Sequence, residues 1–146
     1  MRKTGVVVLG HSAGAWGALA LASQNPRPVA AVIDFAGGLG GRSYDYPNRN
    51  CVPGRLIKTL EKFGRTARIP TIWIYAKNDT YFNPDLSSAM AAAFRKGGGP
   101  VEYHLLPAVG DDGHFLIYDK SAAAGWGSLV DAFLSHHAAA RENSAR

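Results

Sequence analysis

The stretch VVVLGHSAGAWG, residues 6–17, constrains this chain more than any other. Three valines and a leucine run into Gly10-His11-Ser12-Ala13-Gly14, and a small-residue helix pattern follows with no loop between. Two machines join a strand to a helix through such a turn. In a nucleophile elbow, a serine is held on a strained turn with its hydroxyl exposed for covalent chemistry. In a dinucleotide-binding turn, the glycines let a pyrophosphate approach the backbone at a helix N-terminus.

Spacing separates the two. Counted from Gly10, a G-x-G-x-x-G fingerprint places Ser12 at the second glycine and Ala15 at the third. The second position has to be glycine for the backbone to touch a pyrophosphate. Asp34 ends the next apolar run, where a ribose-binding acid would stand, but without the fingerprint it reads as a hydrogen-bonded acid at a strand end. The elbow gives each small residue a reason: Gly10 and Gly14 clear space where strand and helix approach around Ser12. The plainer role for Ser12 is a helix cap.

The rest of the chain repeats the alternation. Continuous apolar runs predict buried strands over 5–9, 29–35, 69–75 and 101–106. Helical patterns predict helices over 12–25, 55–63, 84–96 and 126–137, with Asn25-Pro26 and Gly97-Gly98-Gly99 as stops. Between them, 36–54 is a long Gly-, Pro- and Asn-rich loop, of a length that compact domains reserve for function or mobility. The expected fold is α/β: a parallel sheet of about four strands with helices on its faces. It occupies one domain over 1–137, with a frayed tail at 138–146.

A serine hydroxyl is a poor nucleophile until a base takes its proton, so an elbow needs a histidine and an acid to orient it. In this architecture they follow in the order Ser, acid, His, on loops after later strands. After the third predicted strand comes Ala76-Lys77-Asn78-Asp79; after the fourth comes PAVGDDGHF, which carries His114. Ser12, Asp79 and His114 therefore meet at the carboxyl edge of the sheet, where open α/β sheets place their sites. Asp111 and Asp112 are rivals for the acid, but they lie in the histidine's own loop and fit better as residues that shape it. Among the other histidines, His104 lies in a strand, His136 and His137 lie in the last helix, and His11 would have to reach round its neighbour. His11, Tyr44 and Tyr46 are the candidate pocket residues, the tyrosines as a roof from the long loop.

Composition removes other classes. The chain's 146 residues make one domain with a real core. Its net charge of +5 comes from scattered Lys and Arg without interleaved aromatics, so no nucleic-acid partner is expected. No apolar run is long enough to span a bilayer, and Arg2 and Lys3 are not followed by a cleavable apolar stretch; the chain as given reads as cytoplasmic, away from membranes. Cys51 is the single cysteine, which excludes an internal disulfide. Neither H-x-x-x-H nor paired Cys/His spacing occurs, and no metal or cofactor is expected.

GHSAG, the NDTYF turn and the GDDGH loop together resemble the α/β-hydrolase superfamily. Within it they look most like the dienelactone-hydrolase-like branch of serine esterases, over residues 5 to about 134. The resemblance implies Ser12 as nucleophile, His114 as general base and acid, Asp79 as orienting carboxylate and the Ala13 N–H as an oxyanion donor. It implies hydrolysis of a carboxylic ester or related acyl bond through an acyl-enzyme, although peptidases and thioesterases use the same three groups. Dienelactone hydrolases carry cysteine where this chain has Ser12, which favours a general small ester or acyl substrate.

In that superfamily the elbow follows the fifth of eight strands, so this chain corresponds to a carboxyl-terminal half. The preceding half supplies a second oxyanion N–H and covers the elbow strand. One expectation is an impaired fragment that self-associates, or binds a complementing amino-terminal half, through its open strand edge. The other is that four strands suffice and the Gly37–Gly41 loop supplies the second donor.

Overall fold

The computed structural model describes residues 5–144. Strands β1 (Val6–His11), β2 (Val29–Phe35), β3 (Thr71–Ala76) and β4 (Val101–Leu106) form one sheet in the order β1-β2-β3-β4, each pair parallel. Helices α1 (Ala13–Ala22), α2 (Pro53–Thr66) and α3 (Pro84–Gly97) connect them, and α4 (Ala123–Ser144) follows β4. Right-handed crossovers between strands laid down in one direction put α1, α2 and α3 on one face. There Trp16 meets Phe63 and Trp73 packs on Phe94. On the opposite face, α4 sets Trp126 edge-on against Phe35.

The two inner strands explain why the sequence shows apolar runs rather than alternation. Every residue of β3 is buried, and so is all of β2 except Ala30, as a parallel strand covered on both faces requires. Phe35, Ile72, Trp73, Ile74 and Tyr75 form the centre of the core. Helix ends follow their local signals. Pro53 and Pro84 open α2 and α3, and the Asn83 side chain accepts from the Leu86 amide at 3.0 Å. Gly98 ends α3 with a left-handed φ of 103°.

Boundaries differ from the sequence reading where tertiary contacts intervene. β1 continues through His11 because its ladder with β2 extends over Gly10↔Asp34 and His11↔Phe35. α1 ends at Ala22 rather than at 25, since Asn25 takes a left-handed φ of 51°. The Asn25 side chain instead donates to the Thr66 carbonyl and accepts from the Arg68 amide. α4 begins at Ala123 and runs to Ser144, through most of the stretch expected as a tail. Residues 1–4 and 145–146 of the expected domain and tail lie outside the described residues.

β1 stands at the edge of the sheet with three of its side chains uncovered: Val6 is 54% exposed, Val7 41% and Leu9 52%. Val8 is half-buried against the core and Gly10 is buried beneath α1, so the cover on this strand is partial. No helix among the described residues is long and apolar enough to cross a membrane.

Candidate active site

Ser12 joins β1 to α1 with φ 55° and ψ −124°, a region that a residue with a Cβ enters only when its surroundings impose it. The imposing bonds come from β1's neighbour and from α1. The Ser12 amide donates to the Phe35 carbonyl at 3.0 Å, and the Ser12 carbonyl accepts from Gly38 at 3.3 Å and from Trp16 at 3.1 Å. Gly10 is required beneath this turn, because a Cβ there would lie 2.5 Å from both the N and the Cα of Ala15. The matching expectation for Gly14 is corrected: a Cβ there has nothing within 4 Å, since the position turns away from β1 into open space.

The structure brings the three sequence candidates into one chain of polar contacts. His114 Nε2 lies 3.0 Å from Ser12 Oγ, and His114 Nδ1 lies 3.3 Å from Asp79 Oδ2. Asp79 and His114 are 1% and 3% exposed, whereas Ser12 stays partly open. The second carboxylate oxygen of Asp79 accepts from the Tyr81 and Phe82 amides, both at 2.8 Å. That turns Oδ2 toward the imidazole. With Nδ1–H donated to Asp79, the lone pair of Nε2 faces the serine hydroxyl.

Asp112 holds the histidine's loop. It accepts from the His114 amide at 3.0 Å and from the Thr80 amide at 3.2 Å, and also from the Thr80 hydroxyl. Burial raises its pKa, but these bonds outweigh burial and hold the carboxyl below its ordinary range. Asp111 is exposed. His104 pairs with Glu102 on β4.

His11 lies against His114. Its Nε2–H donates to the His114 carbonyl at 2.7 Å, and its ring centroid is 5.0 Å from that of His114. Burial lowers the pKa of its imidazole, against the opposing effect of that bond. Tyr44 and Tyr46 stay outside the cluster, 89% and 59% exposed, so neither ring roofs the site in this chain. Their loop reaches the site through Arg42 instead, whose guanidinium lies 4.7 Å from the centre of the Tyr81 ring and donates to Thr80 Oγ1 at 3.3 Å.

Tyr81, Arg42 and Thr80 are site residues that the sequence reading did not single out. Only Tyr81 left a signal, as an aromatic two residues after the candidate acid. For an oxyanion, the Ala13 amide stands next to Ser12 at the start of α1. In the Gly37–Gly41 loop, the Gly37 amide already donates to Asp34 Oδ1 at 2.8 Å and the Gly38 amide to the Ser12 carbonyl. Among the described residues, no group of three or more His, Cys, Asp or Glu could hold a metal ion.

No protein-family model and no curated protein matches this sequence. Solved structures do. A protein from Klebsiella pneumoniae provisionally termed a dienelactone hydrolase aligns with a TM-score of 0.60 and 20% identity, over 88% of this chain and 51% of its own. The esterase Pf2001 of Pyrococcus furiosus aligns with a TM-score of 0.63 and 15% identity, over 89% of this chain and 52% of its own. A serine hydrolase involved in carbazole degradation aligns with a TM-score of 0.61 and 14% identity, over 90% and 64%. At these identities the likeness is one of fold. The chain spans about half the length of the first two proteins.

Proposed function

We propose, from the α/β-hydrolase fold that this chain shares with those proteins over about half their length, that it is a serine hydrolase of carboxylic esters or related acyl bonds. The observation that carries the reading is the Ser12–His114–Asp79 chain, at 3.0 and 3.3 Å, hung on a strained serine at a strand–helix junction. Ser12 Oγ attacks the acyl carbon as His114 Nε2 takes its proton, and Asp79 stabilises the imidazolium that forms. The Ala13 amide donates to the developing oxyanion. His114 then protonates the leaving alcohol, which departs and leaves Ser12 acylated. Water, deprotonated by the same nitrogen, releases the acid and restores the serine. The serine nucleophile favours small esters or acyl groups in general.

A fluorophosphonate probe tests this directly. Labelling of the purified chain at Ser12, lost in Ser12→Ala, is the expected result. An unlabelled wild-type chain that is demonstrably folded would overturn the reading.

The exposed β1 favours a second reading, in which the chain is an impaired half-unit. Half-length coverage of the structural neighbours and an uncovered edge strand both support it. On this reading the site gains full activity only when a second copy, or a complementing amino-terminal segment, pairs along β1. A concentration-independent specific activity in a chain that sediments as a monomer would count against it.

A further inference from the structure

The mechanism makes no use of Asp34, yet its side chain is wholly buried on β2 in register with Gly10. Its Oδ1 accepts from the Gly37 amide at 2.8 Å, and its Oδ2 has no hydrogen-bond partner among the described residues. The Gly37 carbonyl accepts in turn from the buried Tyr75 hydroxyl at 2.8 Å. Both sides of this residue are therefore pinned from inside the protein. A Cβ on Gly37 would fall 2.4 Å from Asp34 Oδ1, so the carboxyl and the turn meet without slack.

What this turn does is visible at its next residue. Ala36, with φ 48°, swings the chain off β2, and the Gly38 amide then donates to the carbonyl of Ser12 at 3.3 Å. Two non-glycine residues with positive φ thus end neighbouring strands, Ser12 after β1 and Ala36 after β2. Such conformations persist only where surrounding contacts over-determine them. We infer that Asp34 is a positioning residue for the nucleophile: its carboxyl oxygen sets the 36–38 turn, and the Gly38 amide of that turn fixes the carbonyl of Ser12.

The chemistry of the position agrees. An apolar side chain would leave the Gly37 N–H buried without an acceptor, at the full desolvation cost of that group. Burial also pushes the Asp34 carboxyl up to about 8, against the smaller opposing effect of the Gly37 bond. At neutral pH it is then an uncharged acid that accepts through its carbonyl oxygen and needs no buried counter-ion. The titratable group facing it is the Tyr75 hydroxyl, whose own pKa burial raises further.

The kinetic consequence rests on the serine-hydrolase reading; the structural consequence does not, and the test separates them. Amide hydrogen exchange at Gly37 and Gly38 is followed by NMR in the wild type, Asp34→Asn and Asp34→Ala, beside fluorophosphonate labelling rates at Ser12. Both amides are expected to exchange slowly in the wild type and in D34N, which keeps the acceptor. In D34A they exchange faster and labelling slows by about 10- to 100-fold, the scale that misplacing a reacting group produces. Fast exchange at either amide in the folded wild type overturns the inference even if D34A does not fold. So does equal protection in all three proteins. Exchange that responds while no protein is labelled leaves Asp34 as the anchor of the turn and sinks the serine reading instead.

Discussion

The imidazole of His114 stacks on the ring of Tyr81, with centroids 4.2 Å apart and planes 23° from parallel. The same tyrosine donates its backbone amide to Asp79 at 2.8 Å. One residue thus holds the His114 imidazole through its side chain and the Asp79 carboxylate through its main chain. Replacing Tyr81 by Ala keeps the amide and removes the ring. The face-to-face contact is worth about 0.5–1.5 kcal/mol, so kcat for a small aryl ester should fall by about 2- to 12-fold. Tyr81→Phe keeps the stack and should match the wild type. Steady-state kinetics on the three proteins, with melting temperatures to confirm folding, decides this. Equal loss in both variants would assign the effect to the hydroxyl and remove the stacking argument.

Asp34 gives a stability prediction whose sign follows from proton counting. Its ordinary pKa is 3.8 and burial raises it to about 8 in the folded chain. Between those values the native state keeps a proton that the unfolded state has released. The contribution of Asp34 to stability therefore falls as pH rises, by up to about 1.4 kcal/mol per unit, and levels off above pH 8. Asp34→Asn removes this slope, so its advantage over the wild type should grow from pH 5 to 8 and then hold constant. Urea unfolding at several pH values measures the difference. Parallel curves for the two proteins would mean that the folded carboxyl is ionised throughout.

The two elbow glycines should behave oppositely. Gly10→Ala forces a methyl against the backbone of Ala15 at 2.5 Å, where nothing can rotate away. A loss of at least about 1–3 kcal/mol is expected, with Ser12 displaced and its labelling suppressed. At Gly14, inside α1 and facing open space, the added methyl meets nothing. Alanine there should raise stability by about 0.5–1 kcal/mol through helix propensity, with labelling unchanged. Thermal melts of the two variants form the test, and a destabilised Gly14→Ala would show that α1 has a covering partner in solution.

These pairs show how far the sequence could be read. The strand–serine–helix junction, the acid after the third strand and the histidine after the fourth were legible because each depends on local pattern and chain order. Asp112 as the residue that shapes the His114 loop was legible for the same reason, being only two positions away. Tyr81 over His114 was not, and of Asp34 only the hydrogen-bonded acid at a strand end could be read, not its place beneath Gly37. The first contact joins residues from separate loops, and the second depends on a left-handed turn at Ala36, an alanine that carries no signal for it. Tyr44 and Tyr46 were over-read: an aromatic loop suggested a roof, but nothing in the sequence said which of its side chains would turn inward, and it was Arg42 that did. The stop of α1 at Ala22 likewise answers to contacts from Asn25 to residues more than forty positions away.

The open side of β1 carries the last prediction. Among the described residues the strand pairs only with β2, which leaves a row of backbone donors and acceptors flanked by Val6, Val7 and Leu9, all at least 41% exposed. Edges of this kind template pairing with another chain, and natural edge strands guard against it with charge, lysine above all. β1 has no Lys, Arg, Asp or Glu between Val6 and His11. The chain should therefore associate as its concentration rises, and Leu9→Lys should shift the equilibrium toward monomer while leaving the buried core of β2 and β3 intact. Sedimentation velocity across a hundredfold range of concentration, about 2.7 kcal/mol in association free energy, reads the shift. If the wild type stays monomeric over that range, a second copy does not pair along this edge. The half-unit reading then depends on a complementing segment alone.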